Sequence, residues 1–444
     1  MSKLSVHIET FGCQMNVSDS ERVAAKLLDS GFELTDAADS ADVILLNTCS
    51  IREKAEQKVF QRVGQIKHQR AERQPLVGVM GCVAQLEGEA IFNSSTTVQL
   101  VAGTGATERI PSLLERVRGG ETRVLDLGER EEWAGFEIPT ALRHSRHVAF
   151  VPIIEGCNKF CTYCIVPYSR GRERSRQAFE IVEEVQKLWA AGFQEIQLIG
   201  QNVNSYRPKS EKGLEGFSGA TPFSRLLRAV ASEGIPRIKF TTSFPRDFHA
   251  DIVEAMEEHE NLCNWVHLPV QSGNNRVLRA MRRGHKVEDY LEKVETIKNS
   301  RRAISLTSDV IVGFPGESKE EFEDTLRLTE KSEFHGLYIF KYSKRRGTPA
   351  AKLDDDVSPD EKARRFLALE SLQMSIQSKI YMEYVGRKVE VLAEGFSARS
   401  QSDLTGHTTC QKVVNFRADK EVIGKVVKVH VTEAKAHSLF GQLV

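Results

Sequence analysis

The stretch Glu155-Gly-Cys-Asn-Lys-Phe-Cys-Thr-Tyr-Cys-Ile-Val-Pro167 places three cysteines, Cys157, Cys161 and Cys164, in one short loop directly after an apolar, β-type run. Thiols at this spacing can wrap a single soft metal centre without help from distant parts of a fold. A four-iron cubane held by three thiolates keeps one iron open to a small molecule, just as an open coordination position separates catalytic from structural zinc. The alternative is a structural zinc knuckle. Such knuckles pair Cys-x2-Cys with a second pair of ligands, and neither a second pair nor an adjacent His follows Cys164.

The chain has 444 residues, too many for one core, and 40% of them are hydrophobic, which argues for several folded domains and against disorder. Lys+Arg and Asp+Glu balance at 61 each, so no global field draws in a nucleic acid, and any such contact must come from local basic clusters. No signal-peptide pattern opens the chain, and no apolar run reaches the ~18 residues of a membrane span. A cytoplasmic protein with no membrane contact is expected, and there its eight cysteines read as metal ligands or small core residues, not disulfides.

An α/β fold in three parts is expected. Residues 1–120 alternate β-branched runs with helical patterns, with strands at 5–12, 41–49, 75–82 and 97–103, and a helix introduced by Ser18-Asp19 that stops at Gly31. This is a parallel α/β domain. Residues 121–145, with the charge run Glu129-Arg130-Glu131-Glu132, form a linker. From 146 to 380, strands at 147–155, 195–201, 237–243, 265–272, 304–313 and 336–343 alternate with helical patterns. That is a partial (βα)6 barrel, closed off by an amphipathic helix from Ser358 to Tyr381. Runs such as Lys388-Val-Glu-Val-Leu, Lys412-Val-Val-Asn-Phe and the Val-rich stretch after Val422 make 381–444 a small β-barrel.

Parallel sheets put function at the carboxyl ends of their strands. Cys13, Cys49 and Cys82 each fall at or just past such an end, so three strands deliver one thiol apiece to the same edge. Free cysteines are often mere core residues, and their shared position is what favours a metal site. Cys263 and Cys410 lie inside apolar or β-type segments and read as structural.

Cys-x3-Cys-x2-Cys with Tyr163 before the last cysteine resembles the radical S-adenosylmethionine superfamily. Phe11-Gly-Cys-Gln-Met-Asn16, Asn47-Thr-Cys-Ser-Ile-Arg-Glu-Lys-Ala55 and Gly81-Cys-Val-Ala-Gln85 resemble the methylthiotransferase family, and the likeness runs through the whole chain in order. Within it, Gln-Met-Asn after Cys13 is similar to the branch that modifies isopentenyladenosine in tRNA, not the Gly-Cys-Pro-Lys-Asn branch that acts on a ribosomal protein. The resemblance implies two [4Fe-4S] clusters, one on Cys157, Cys161 and Cys164 and an auxiliary one on Cys13, Cys49 and Cys82. It also implies S-adenosyl-L-methionine as cofactor, an electron donor as partner, a C-terminal TRAM barrel, and methylthiolation at C2 of N6-isopentenyladenosine 37 of tRNA; a monomer is expected, although nothing in the sequence itself fixes the oligomeric state.

Candidates to hold S-adenosylmethionine are the barrel-mouth residues Tyr163, Gly200, Gln201, Asn202, Gln271, Ser272 and Asp309, though each could equally satisfy local backbone. Gly313-Phe-Pro-Gly-Glu317 resembles a strand-end motif of the superfamily or is simply a tight turn. RNA contacts are expected from Arg170, Arg172, Arg174 and Arg176, which alternate just beyond the cysteine loop, and from Lys341 and Arg345 after the sixth strand. Two rivals stand beside this reading: the same chemistry on another tRNA adenosine or a ribosomal protein, and a non-catalytic RNA-binding protein with structural zinc.

Overall fold

The computed structural model describes residues 3–50, 53–69, 74–129, 137–398, 400 and 402–444. Ile51 and Arg52 of the motif after Cys49, and 130–136 of the expected linker, lie outside the described residues. The chain divides into two compact units, Met1–Ser145 with Glu155–Asn158 and Ile165–Arg176, and Arg146–Ile154 with Lys159–Cys164 and Gln177–Val444.

In the first unit six parallel strands, β1 (Ser5–Phe11), β2 (Glu33–Leu34), β3 (Val43–Thr48), β4 (Leu76–Gly81), β5 (Val98–Ala102) and β6 (Val124–Asp126), form one sheet in the order β2-β1-β3-β4-β5-β6. Strand β3 is buried along its whole length because both faces of the sheet are covered. Its side chains alternate accordingly: Val43 and Leu45 enter one core with Val23, Leu27 and Leu114, while Ile44 and Leu46 enter another with Val59, Val63 and Phe92. The strand order reverses between β1 and β3, which opens a crevice at their carboxyl ends.

The helix after β1 spans Gln14–Asp29 and begins earlier than Ser18-Asp19 suggested. Cys13 is its N-cap residue, with its backbone N–H donating to Asn16 Oδ1 at 3.3 Å, so Ser18 and Asp19 are interior and buried. Gly31 follows the C-cap Ser30 in the left-handed region, at φ +86°, as a helix stop requires.

Two-residue strands β8 (Ile154–Glu155) and β9 (Arg174–Ser175) flank the cysteine loop in sequence. The six expected barrel strands are β7 (Val148–Pro152), β10 (Glu195–Ile199), β11 (Arg237–Phe240), β12 (Trp265–His267), β13 (Ser305–Val312) and β14 (Gly336–Lys341). They pair as two parallel sheets, β11-β10-β7 and β12-β13-β14, and between β11 and β12 the ladder narrows to a parallel bridge of Ile238 with Leu262. Outward side chains such as Ile196, Leu198, Ile238, Phe240, Val266, Leu306 and Val310 build one large core under the helices. The alternate positions are polar: Gln197, Lys239, His267 and Thr307 are buried without joining that core.

The long helix Pro359–Met382 is capped by Ser358, whose Oγ accepts from Glu361 N at 3.2 Å. It leads into β15 (Lys388–Phe396), β16 (Asp403–Thr408), β17 (Val413–Arg417), β18 (Val426–Ala434) and β19 (Leu439–Leu443), a closed barrel around Val391, Leu404, Phe416, Val429 and Leu439. Within the second unit this barrel meets the amino end of β11, where Arg237 Nη1 donates to His407 O at 2.9 Å and Lys239 Nζ to Gln411 Oε1 at 2.7 Å.

Candidate metal centres and barrel mouth

Parallel register sets Phe11 beside Thr48 and Thr48 beside Gly81, so the residues that follow, Cys13, Cys49 and Cys82, leave the sheet at one edge. Cys13 and Cys49 flank the crevice where the strand order reverses. Cys49 N donates to Phe11 O at 3.0 Å, and Cys82 opens the helix Cys82–Glu87. A hydrogen bond from the Cys49 side chain, with help from the Arg170 charge, outweighs burial and holds the Cys13 thiol down at about 5. Burial pushes Cys82 the other way, opposed by Arg170. Arg170 is itself buried, with Asp19 Oδ2 at 2.7 Å and Glu155 Oε1 at 3.4 Å.

These donors suit a thiolate-bound cluster. Three soft ligands share one edge, a permanent cation offsets their charge, and the buried Ser50 hydroxyl beside Cys49 has no hydrogen-bond partner among the described residues. Among the described residues no three His, Cys, Asp or Glu side chains stand close enough to grip a single metal ion. A cubane binds each thiolate at a different corner, so its ligands stand farther apart than those of one ion.

The loop bearing Cys157, Cys161 and Cys164 contributes to both units and is anchored in each. In the first, Cys157 N donates to Gly171 O at 3.2 Å and Cys157 is buried. In the second, Cys164 N donates to Cys161 O at 3.0 Å, and Thr162 binds Met281 O through its N–H at 3.1 Å and Ala280 O through its hydroxyl at 2.9 Å. Arg283, absent from the sequence candidates, is buried here. Its Nη1 lies 3.6 Å from Cys161 Sγ and 3.4 Å from the Tyr163 hydroxyl, its Nη2 donates to Pro269 O at 2.6 Å, and it stacks over Phe244 at 4.5 Å. Burial raises the Tyr163 pKa against the opposing Arg283 charge, so the phenol stays protonated.

Of the barrel-mouth candidates, Gly200, Gln201 and Asn202 follow β10 and Gln271 and Ser272 follow β12, whereas Asp309 lies within β13, three residues short of its carboxyl end. Asn202, Gln271 and Ser272 are buried. Gln271 sits at φ +78°, its N–H donating to Asp309 O at 2.8 Å, and Thr242 sits at φ +72°. Two non-glycine residues held left-handed at adjacent strand ends mark a constrained rim. Asp309 Oδ1 lies 3.4 Å from His267 Nε2. Gly200 allows close packing of the rim, since a Cβ there would lie 2.2 Å from Ile154 Cγ2. Gly313-Phe-Pro-Gly-Glu317 is a turn locked from inside: the Gly313 N–H donates to buried Glu317 Oε2 at 2.7 Å, and Arg365 Nη1 pairs with the same oxygen at 2.7 Å.

The basic run after the loop corrects a sequence expectation. Arg170 and Arg176 are buried, against the solvent-facing positions expected of phosphate contacts, and Arg170 pairs with the Asp19 and Glu155 carboxylates of the first unit. Arg172 is exposed, Arg174 and Arg345 are half-buried, and Lys341 is exposed with its ammonium 5.5 Å from the Phe366 ring. Cys263 is buried, and burial pushes its thiol up to about 12; Cys410 is buried beside Tyr384 and Thr408.

Three family models match in order: Uncharacterized protein family UPF0004 over residues 5–103, the radical SAM superfamily over 151–329 and the TRAM domain over 382–444. Among solved structures, the cobalamin-dependent S-adenosylmethionine radical enzyme OxsB is similar over 86% of this chain and 68% of its own, with TM-score 0.57 and 11% identity. The radical S-adenosylmethionine methyltransferase TsrM from Kitasatospora setae also reaches TM-score 0.57, at 13% identity over 79% of this chain and 75% of its own. At such identities the likeness is one of fold. The class is therefore a radical S-adenosylmethionine enzyme with an added N-terminal α/β domain and a C-terminal TRAM barrel.

Much nearer in sequence are proteins named tRNA-2-methylthio-N(6)-dimethylallyladenosine synthase. That of Koribacter versatilis is 44% identical over 99% of this chain and 98% of its own, that of Bacillus pumilus 44% over 99% and 85%, and that of Haemophilus influenzae 42% over 99% and 92%. The chain belongs to this family of radical S-adenosylmethionine methylthiotransferases.

Proposed function

We propose that this chain inserts sulfur and a methyl group at C2 of N6-isopentenyladenosine 37 in tRNA. The observation that carries the reading is identity of 44% over 99% of the chain with a protein named for that reaction, and the two cysteine trios of the sequence support it. In this reading Cys157, Cys161 and Cys164 hold the [4Fe-4S] cluster that binds S-adenosylmethionine, and Cys13, Cys49 and Cys82 hold a second one. When bound, the cofactor supplies radical hydrogen abstraction from an unactivated aromatic carbon, which no side-chain acid or base here could achieve.

The protein's part is to hold, orient and neutralise. Arg170 and Arg283 each bring a buried cation to thiols, Tyr163 and the rim residues Gly200, Gln201, Asn202, Gln271, Ser272 and Asp309 bound the cofactor's place, and Arg172, Arg174, Lys341 and Arg345 offer charge to RNA. The working division is 1–120 for the auxiliary site, 146–380 for the radical core and 381–444 for the TRAM barrel. Among the described residues no helix is long and apolar enough to cross a membrane. Nucleoside analysis of tRNA from cells with and without the gene tests the proposal. Loss of the methylthio group with accumulation of isopentenyladenosine supports it, and an unchanged tRNA profile overturns it.

A further inference from the structure

Strand β14 carries two aromatic rings into solvent: Tyr338 is 57% exposed and Phe340 44%, while their neighbours Leu337 and Ile339 pack on the core. Exposed rings two residues apart on a strand are costly to leave bare, and they form the kind of platform on which unpaired bases stack. Tyr338 also lines a cavity of about 550 Å³ in the second unit, between the polar lower half of the strands and the TRAM barrel. Its volume lies in the range of small-ligand sites.

The cavity wall suits a flat, hydrogen-bonding guest with a negative phosphate, since the ammonium groups of Lys239 and Lys412 outnumber the Glu370 carboxylate in its lining. Trp265 and Tyr338 line the cavity, and His267, outside its lining, braces both: it meets Tyr338 edge-on at 5.8 Å and stacks on Trp265 at 5.8 Å with an interplanar angle of 6°. Lys239 Nζ lies 4.4 Å over Trp265 and Lys412 Nζ 5.3 Å over Tyr381, so two ammonium groups line the same space. Gln373 is 5% exposed; its Nε2 donates to Phe334 O at 2.7 Å, while its Oε1 is buried with no partner among the described residues. Gln411 Oε1 accepts from Lys239 Nζ at 2.7 Å, and its Nε2 is likewise buried and unpartnered. An unmet acceptor and an unmet donor in one aromatic-walled cavity match the mixed edge of a nucleobase. Water filling would satisfy the amides but not the exposed rings.

We propose that this cavity is a second nucleobase site, holding an unpaired base of the RNA substrate other than the adenine that is modified. The proposal rests on the RNA-modifying reading above and adds to it a subsite remote in sequence from both cysteine trios. The base stacks on Tyr338, its edge bonds to Gln373 and Gln411, and its phosphate lies toward Lys239 and Lys412.

The test uses the full chain, reconstituted anaerobically, and an anticodon stem–loop RNA bearing N6-isopentenyladenosine. Tyr338→Ala should weaken RNA binding about tenfold, the loss of one base–aromatic stack, whereas Tyr338→Phe, which keeps the ring, should bind within about twofold of wild type. Cleavage of S-adenosylmethionine without RNA should be unchanged in both. An abasic scan of the loop should then find one position whose removal costs the wild type about tenfold and the Tyr338→Ala protein nothing further. Equal binding by Tyr338→Ala and wild type overturns the site, as does coupling of Tyr338 to the modified adenine itself. If wild type methylthiolates the stem–loop while Tyr338→Ala binds it normally, only the second site fails; if wild type neither binds nor modifies it, both readings fail.

Discussion

Replacing Arg170 by Met separates a structural cation from an RNA contact. Arg170 is 5% exposed, with Asp19 and Glu155 each 2% exposed at 2.7 and 3.4 Å from its guanidinium. Removing one partner of such a group strands buried carboxylates, which costs about 3–5 kcal/mol, far above the ~0–1 kcal/mol of a surface pair. For a unit of this size that is about 6–20 °C in Tm. Calorimetry on anaerobically purified full-length protein should show the transition of the first unit falling by that amount, with Arg172→Met, at an exposed position, leaving it within ~1 kcal/mol. Adding Asp19→Asn to Arg170→Met should recover part of the loss, since the stranded charge is then gone. A drop below about 1 kcal/mol, or a shallower salt dependence of RNA binding at unchanged stability, refutes the assignment and returns Arg170 to the phosphate-contact role.

With the proposed cluster reconstituted on the Cys157 loop, Arg283→Met should make it harder to reduce, shifting its potential negative on the order of 50–100 mV in an EPR-monitored titration, because a charge-assisted bond to Cys161 sulfur is lost. Gly313→Ala should lower the stability of the second unit by at least ~1 kcal/mol in a thermal melt, since the residue sits at φ +69° and a Cβ would lie 2.4 Å from Lys362 Cγ. His335 is held neutral, its pKa lowered by burial and by the Lys412 and Lys298 charges to about 4, and its Nδ1 accepts from Leu306 N at 3.3 Å. Its folded pKa lies below its unfolded one, so its contribution is complete above about 6.5 and is lost as pH falls toward about 4. Denaturant midpoints of wild type should drop across that window more than those of His335→Asn, which keeps an acceptor but cannot titrate.

Much of this was readable in the chain because the relevant signals are local. Strands β1, β3, β4 and β5 fall within a residue or two of the apolar runs that suggested them; Cys49 and Cys82 follow directly from a strand end and Cys13 one residue further on. Short or mixed strands escaped: β2 has two residues, β6 three, and β16, Asp403-Leu-Thr-Gly-His-Thr408, carries one large apolar side chain. The helix start at Gln14 was hidden because a cysteine, not Ser18 or Asp19, takes the cap position. Long-range charge was the least legible. Arg170 and Arg283 sit in basic stretches that look like solvated loops, and only tertiary packing turns them inward onto carboxylates and thiols. No spacing rule could mark Arg283, whose sulfur partner lies 122 residues away.

The most direct trial of the two-centre scheme is mass spectrometry of the nucleoside and cofactor products formed by the reconstituted Cys13→Ala protein on isopentenylated tRNA. S-adenosylmethionine should still be cleaved, with no methylthio adenosine formed, whereas Cys157→Ala should give neither. Normal methylthiolation by Cys13→Ala would contradict the assignment of a sulfur-delivering centre to the first unit.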